Sequence, residues 1–267
     1  PRALSHGTGY NLSRRVVMEK KTQADEVVEV LRKRGGYATL KELYEWVPYH
    51  TWRTRTPLAT IRRILQRDRQ SRFFRIRPGL WGLTELREQI LKQLSIDEAV
   101  PPEKVEEFDH TYYQGLVVEI GNLLGFETFV PKQDRNKNFI GFPLYKVVSV
   151  QDIYSFTYPR LVQIASTVDV IWFNNRKMPH AFWEIEHTTD FDRALTKFVE
   201  FQDFRSNFYV VADGTREERF RNKLAQSAYE PVQRWVQFIS YEKLANLHAG
   251  AKAYPEIRRL QARFTEV

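Results

Sequence analysis

The sequence predicts an α/β (α+β) protein in two parts, a small basic region rich in helices followed by a larger domain built on a mixed sheet. Two observations predict this division. Residues 1–90 contain 19 Lys and Arg against 9 Asp and Glu, and the remaining residues contain 22 against 24, so the net charge of +8 arises in the N-terminal part. Helical periodicity dominates that part, whereas apolar strand-like runs alternate with helical patterns after about residue 105.

The composition is that of a globular protein large enough for two cores. The chain has 267 residues, of which 42% are hydrophobic and 14% aromatic. The absence of cysteine excludes disulfides, thiolate zinc sites and cysteine nucleophiles, so any metal ligand must be oxygen or imidazole. The sequence contains neither an apolar run long enough to span a membrane nor a secretory signal pattern. We therefore expect a cytoplasmic protein without a membrane partner.

Three helical patterns and a hairpin pattern occupy the basic part. TQADEVVEVLRKRGG ends at two glycines, and TLKELYEWV has Thr39 as its N-cap and ends before Pro48. TPLATIRRILQRD has Thr56 as its N-cap and Pro57 at its first helical position. RFFRIRPGLWGL alternates apolar and basic residues before a Pro-Gly turn, which predicts a two-stranded wing. This arrangement is a winged helix-turn-helix, whose third helix enters the major groove of DNA.

These stretches resemble the HARE-type winged helix, which is found in restriction enzymes and chromatin proteins, over about residues 22–85. The resemblance implies that double-stranded DNA is the partner, and the excess positive charge supports this. The alternative is a winged helix that docks a protein. The candidate DNA contacts lie on the third helix, on its approach and on the wing: Arg53, Arg55, Thr56, Thr60, Arg63, Arg67, Arg75 and Arg77.

A change of composition separates the two parts. SIDEAVPPEKVEEFD is acidic, contains two consecutive prolines and leads into a helical pattern. We therefore divide the chain into a tail (residues 1–20), a winged helix (21–93), a linker (94–104) and a second domain (105–267).

The second domain begins with a helical pattern over about residues 103–124, followed by the strand pattern FETFVP and a long insertion over about residues 131–160. STVDVIWF and AFWEIE then predict a β-hairpin. Helix, strand, helix, strand and helix patterns complete the domain. This order predicts a mixed sheet covered by helices.

Three carboxylates interrupt the apolar strands of the hairpin. Asp169 stands in the first strand, and Glu184 and Glu186 share one face of the second strand because side chains alternate along a strand. A buried carboxylate is costly unless a proton, a basic group or a cation neutralises it, and Mg²⁺ favours oxygen ligands. These residues therefore predict a divalent metal centre. The alternative is that the glutamates face solvent and Asp169 makes a structural hydrogen bond.

The hairpin resembles the PD-(D/E)xK, or restriction-endonuclease-like, nuclease superfamily over about residues 105–245. TVDVIWF supplies the first acid, and Glu184-Ile185-Glu186 replaces (D/E)xK, so that Glu186 occupies the place of the usual lysine; the usual proline before the first acid is absent. The resemblance implies that Asp169 and Glu184 hold Mg²⁺ or Mn²⁺, which polarises the scissile phosphate and activates a water molecule. It also implies that Glu186 orients or deprotonates that water. Glu119, on the first helix of the domain, is a weaker catalytic candidate.

Three polar residues near the motif are expected to have structural roles. Strand alternation turns His187 away from the two glutamates. Lys197 and Gln202, on the following helix, could meet a phosphate, but both are expected to be ordinary helix residues.

The sequence thus predicts a metal-dependent DNA endonuclease resembling a type II restriction enzyme, in which the winged helix selects the site and the second domain hydrolyses phosphodiester bonds. Cleavage of both strands at a symmetric site would imply a homodimer or two molecules that meet on DNA. Two alternatives remain. One is a non-catalytic DNA-binding protein, which the missing lysine favours, and the other is a repair or junction nuclease that recognises DNA shape.

Overall fold

The computed structural model describes residues 21–187 and 190–250 of the chain. The predicted tail (residues 1–20) lies outside the described residues. Within the described residues, no helix combines the length and the apolar character that a membrane span requires.

The N-terminal elements form the predicted winged helix. The two strands of the wing pair with each other in antiparallel orientation. A short third strand, which the sequence patterns did not indicate, completes a small sheet. Thr22 and Thr39 close capping boxes at the first two helices, whereas Thr56 occupies the N-cap position of the third helix without a side-chain capping bond. The elements are α1 (Gln23–Lys33), β1 (Tyr37–Thr39), α2 (Leu40–Trp46), α3 (Pro57–Arg67), β2 (Phe73–Arg77), β3 (Leu80–Leu83) and α4 (Arg87–Gln93).

The second part is a five-stranded mixed sheet with helices on both faces. The strand order is β10-β9-β8-β7-β4; β8, β9 and β10 are parallel, while β7 is antiparallel to both of its neighbours. The predicted hairpin is confirmed as β7 and β8. The elements are α5 (Pro102–Leu123), β4 (Glu127–Phe129), β5 (Asn138–Phe139), β6 (Phe142–Pro143), α6 (Pro159–Ala165), β7 (Val170–Phe173), β8 (Pro179–Glu186), α7 (Asp192–Glu200), β9 (Asn207–Ala212), α8 (Glu217–Leu224), β10 (Val236–Ser240) and α9 (Tyr241–Gly250).

Helices cover both faces of the central hairpin, which explains why its strands are apolar without alternation. On one face, Phe173 and Phe182 belong to the same buried cluster as Phe198 of α7. On the other face, Trp172 and Trp183 belong to a cluster that includes residues of α5 and α9. A carboxylate on either face therefore lies under a helix unless it stands at a strand end.

The insertion after β4 contains the small hairpin of β5 and β6, which packs on α5. A Cβ atom placed on Gly115 of α5 would lie 2.2 Å from Cδ2 of Phe139 and 2.4 Å from its Cγ. The ring is buried, with 2% of Phe139 exposed. Glycine at position 115 therefore permits the insertion to approach the helix.

Gly115→Ala is expected to lower the free energy of unfolding by about 1–3 kcal/mol, because the added methyl group overpacks this contact. Urea unfolding would measure the change. Gly214→Ala is a matched control, since its Cβ would find its nearest atom at 3.5 Å, and we expect a change within about 0.5 kcal/mol. Equal stability of the Gly115 variant and the wild type would contradict the packing described for Phe139.

The wing packs directly on the second part of the chain. Tyr112 of α5 donates a hydrogen bond to the carbonyl of Pro78 at 2.8 Å, and the turn residue Gly79 has a φ of +79° and approaches α9 so closely that a Cβ there would lie 2.9 Å from Ala245 Cβ. Ile76 and Leu80 of the wing belong to one buried cluster with residues of α5 and α9. The two parts therefore share apolar core rather than being joined by a linker alone.

Candidate active site

The three predicted carboxylates meet at one edge of the sheet. Asp169 immediately precedes β7, and Glu184 and Glu186 end β8; because the strands are antiparallel, the start of β7 lies beside the end of β8, with Val170 opposite Trp183. The backbone N–H of Ile185 donates to Asp169 Oδ2 at 2.7 Å. All three carboxylates line one cleft of about 530 Å³. The structure thus brings the predicted acids together, while their catalytic roles stay a prediction.

Glu184 is the most deeply buried of these acids, and it is bound by Lys197. Only 3% of Glu184 is exposed. Lys197 Nζ donates to Glu184 Oε1 at 2.7 Å and Oε2 at 3.0 Å, and also to the carbonyl of Thr167 at 2.8 Å. The side chain of Lys197 is itself 11% exposed. An ammonium group therefore lies at the motif although Glu186 occupies the sequence position of the usual lysine.

The helical pattern around Lys197 contains a signal for its position. Ala194, Phe198 and Phe201 are buried along one side of α7 and its C-cap, and Lys197 lies three residues after Ala194, on the border of that stripe. A lysine on the apolar side of a helix that covers a carboxylate-bearing strand is a candidate partner for that carboxylate. The expectation that Lys197 is an ordinary helix residue is therefore corrected. Gln202, in contrast, is exposed.

The electrostatic environment differs among the three acids. Burial and the neighbouring Asp169 raise the pKa of Glu184 well above its ordinary value, although Lys197 opposes this. Burial, with Asp169, raises the pKa of Glu186 to about 7. Burial also acts to raise the pKa of Asp169, but the nearby His110 and the N–H of Ile185 outweigh it and hold that pKa below its usual value.

The raised pKa values of Glu184 and Glu186 indicate negative charge that the protein itself does not fully compensate. The donor set is made of carboxylate oxygens at the wall of an open cleft, which is the chemistry that Mg²⁺ or Mn²⁺ prefers. The residues present therefore fit a divalent metal ion at Asp169 and Glu184.

His187 packs on the α5 and α9 side of the sheet, beside the stacked rings of Tyr113 and Tyr241. Its Nδ1 lies 2.9 Å from the hydroxyl of Tyr241. Burial lowers the pKa of His187 to about 3, so the ring is neutral. These contacts agree with the structural role expected from strand alternation.

Glu119 lies apart from the cleft. Its carboxylate accepts hydrogen bonds from Lys41 of α2 and pairs with Nε2 of His248 of α9, where the winged helix meets the second part. Although burial acts to raise the pKa of Glu119, these two partners lower it to about 2. The structure does not bring Glu119 to the other acids, so we withdraw it from the catalytic set.

The candidate DNA contacts divide into two groups. Thr60 is buried and donates its hydroxyl to the carbonyl of Thr56, while Arg75 and Arg77 form ion pairs with Glu242 and Asp109. All three residues make contacts within the chain: Thr60 within α3, and the two arginines where the wing packs on α5 and α9. The other group is exposed and, among the described residues, has no ion pair: Arg53, Arg55, Arg63 and Arg67, with Thr56 exposed beside them.

Comparison with known proteins gives two domain matches. The family described as the type II restriction enzyme NmeDI C-terminal domain matches residues 92–265, and the HARE-HTH family, whose description includes the restriction endonuclease HTH domain, matches residues 21–86. The chain is similar to the type II restriction enzyme NmeDI of Neisseria meningitidis serogroup C, with 25% identity over 154 residues that cover 52% of the chain and 42% of that relative. The chain thus spans less than half the length of this relative. No solved structure matches the chain.

Proposed function

The chain belongs to the family of the type II restriction enzyme NmeDI C-terminal domain, and from that premise we propose that it is a metal-dependent endonuclease that hydrolyses phosphodiester bonds in double-stranded DNA. The observation that carries the proposal is the convergence of Asp169, Glu184, Glu186 and Lys197 in one cleft. Carboxylates and an ammonium group are the functional groups that metal-assisted phosphodiester hydrolysis requires.

Each residue has a role that its surroundings support. A divalent cation such as Mg²⁺ or Mn²⁺, held by Asp169 and Glu184, would polarise the scissile phosphate and neutralise charge that develops on it. Glu186, whose pKa is about 7, is suited to orient the attacking water and accept its proton near neutral pH. Lys197 holds Glu184 in place and supplies a positive charge beside it, which would stabilise negative charge that develops on the phosphate.

Lys197 removes the sequence argument for the main alternative. The absence of a lysine at position 186 favoured a non-catalytic DNA-binding protein. Since α7 brings an ammonium group to within 2.7 Å of Glu184, the departure from the motif does not leave the site without a basic group.

DNA cleavage by the full chain tests the proposal. Plasmid and phage DNA, methylated and unmethylated, would be incubated with Mg²⁺ or with EDTA and analysed on gels. We expect discrete fragments with Mg²⁺ only, lost in Glu184→Gln and retained in Glu218→Gln, an exposed carboxylate outside the cleft. If the wild type cuts no substrate but binds DNA in a salt-sensitive manner, the non-catalytic alternative is correct.

The winged helix is proposed to contribute site recognition through α3 and its approach. Arg63→Ala with Arg67→Ala is expected to weaken DNA binding and to reduce the slope of log K against log salt by about 2, since each arginine–phosphate contact releases about one counterion. Fluorescence anisotropy at several salt concentrations would measure this slope.

Arg75→Ala is the matched comparison, because Arg75 is paired with Glu242. It should leave the salt dependence close to that of the wild type. An unchanged slope in the Arg63/Arg67 variant would instead favour a winged helix that docks a protein, and a reduced slope for Arg75→Ala would mean that its ion pair opens on DNA.

Concerted cleavage of both strands at a symmetric site would use two clefts, and we propose that two copies of the chain act together on DNA as a homodimer. The dependence of the cleavage rate on protein concentration tests this arrangement. Two copies that act together should give a higher than first-order dependence, whereas independent nicks by single copies should give a first-order one.

A further inference from the structure

A histidine and two aspartates come together in the wall of the cleft, beside the pair of glutamates. His110 lies on α5, Asp134 follows β4, and Asp169 precedes β7. One potential ligand atom from each residue lies within 4.8 Å of the others. With metal–ligand bonds of roughly 2.0–2.2 Å, atoms on opposite sides of an ion stand about 4.0–4.4 Å apart, so small side-chain movements suffice to bring these three to one ion.

A buried amide supports the cluster from behind. Gln114 is fully buried, and its Nε2 donates to Asp134 Oδ2 at 3.2 Å and to the carbonyl oxygen of Asp169 at 2.7 Å. Its Oε1 is buried without a hydrogen-bond partner among the described residues. The amide therefore holds Asp134 and the start of β7 in place, although one of its own hydrogen-bonding atoms stays unpaired. Hydrogen bonds from outside a metal site orient metal ligands in the same way.

Asp134 already binds a cation from the chain itself. It is 4% exposed, and its Oδ1 pairs with Lys137 Nζ at 2.7 Å. Asp169 Oδ1 lies 3.5 Å from His110 Nε2. Both carboxylates therefore face positive or polar groups that a metal ion could replace, and His110 could bind such an ion in its neutral form.

We propose that His110, Asp134 and Asp169 form a second divalent-cation site, which shares Asp169 with the centre at Glu184. This deepens the proposed function and rests on it for the role of the second ion in DNA hydrolysis, whereas the site itself rests on the geometry of the three side chains. The imidazole nitrogen makes the site better suited to a transition-metal ion such as Mn²⁺ than to Mg²⁺. The two sites would differ in metal preference because the centre at Glu184 offers oxygen ligands alone.

Mn²⁺ binding to the full chain tests the site without reference to cleavage. Electron paramagnetic resonance of free Mn²⁺ is expected to give two bound equivalents for the wild type and one each for His110→Ala and Asp134→Asn. Pulsed measurements on bound Mn²⁺ should detect ¹⁴N coupling from a coordinated imidazole, which is lost in His110→Ala and kept in His187→Ala. Circular dichroism would establish that each variant is folded.

Lys137→Met provides a change of opposite sign. Since Lys137 competes for Asp134, its removal should increase the affinity of this site for Mn²⁺ by about tenfold, the lower end of the effects that residues around metal ligands produce. The proposal is overturned if the wild type shows no ¹⁴N coupling, or if His110→Ala and Asp134→Asn both retain two equivalents.

The two proposals fail in distinguishable ways. If the wild type binds Mn²⁺ through His110 but cuts no DNA, the second metal site stands and the proposed nuclease activity is wrong. If cleavage depends on metal but only one equivalent of Mn²⁺ binds, without ¹⁴N coupling, the nuclease activity stands and the second metal site is wrong.

Discussion

Replacement of Lys197 by methionine is expected to slow DNA cleavage by about 10²-fold or more. Loss of a single charge-stabilising donor from a catalytic site typically costs about 10²–10³ in rate. Lys197 Nζ contacts both carboxylate oxygens of Glu184 and is mostly buried. Methionine retains the length and the apolar stem of the side chain but removes its charge. The decrease in cleavage rate would therefore measure the contribution of the ammonium group.

The same substitution should destabilise the metal-free protein, and more so at high pH. Breaking a buried ion pair by removing one partner costs about 3–5 kcal/mol while the other partner stays charged. Burial and Asp169 raise the pKa of Glu184, so at acid pH the carboxyl can take up a proton and avoid that cost. The destabilisation by Lys197→Met should therefore be smaller at pH 5.5 than at pH 8, and Glu184→Gln should offset it in the double variant.

Single-turnover cleavage at saturating Mg²⁺ and urea unfolding at both pH values would measure these effects. Lys223→Met is the matched control. Like Lys197, Lys223 lies on a helix and pairs with a carboxylate, that of Asp192, but Lys223 does not line the cleft. Cleavage by Lys197→Met within about threefold of the wild type would remove Lys197 from the proposed machinery.

Local signals in the sequence were sufficient for much of the fold. Hydrophobic periodicity with capping residues predicted α1 to α3, and the match over residues 21–86 confirms the resemblance to the HARE-type winged helix. The apolar runs around Asp169 and Glu184 predicted the β7–β8 hairpin. The three-residue strand β1 was missed, because so short a segment carries no periodicity.

Contacts between residues distant in the chain limited the prediction of the site. Arg75 pairs with Glu242, 167 residues away, and nothing local to the wing indicates that partner. The meeting of His110 with Asp169 likewise depends on how α5 lies against β7. The short carboxylate motif placed Asp169 and Glu184 correctly at one edge because strand pairing is local, whereas the residues that set their charge come from other elements.

Glu186 is expected to lower the stability of the metal-free protein as the pH rises from about 4.5 to 7, in opposition to the buried His187, whose depressed pKa acts in the other direction. Burial raises its pKa from 4.5 to about 7 in the folded state. Between these values the folded protein keeps a proton that the unfolded chain releases, so the free energy of unfolding falls with increasing pH. A shift of this size corresponds to about 3 kcal/mol, reached in full above pH 7.

A bound divalent metal ion should oppose this effect of Glu186, because its positive charge favours the ionised form of the carboxylates around it. The rise in melting temperature produced by Mg²⁺ is therefore expected to be larger at pH 8 than at pH 5.5. Compared with the wild type in EDTA, Glu186→Gln should remove this loss and stabilise the metal-free protein at pH 8, while Glu218→Gln should leave the pH dependence unchanged. Urea unfolding in EDTA across this pH range measures the slope, and an unchanged slope in Glu186→Gln would show that this carboxyl group is not the one that carries the buried charge.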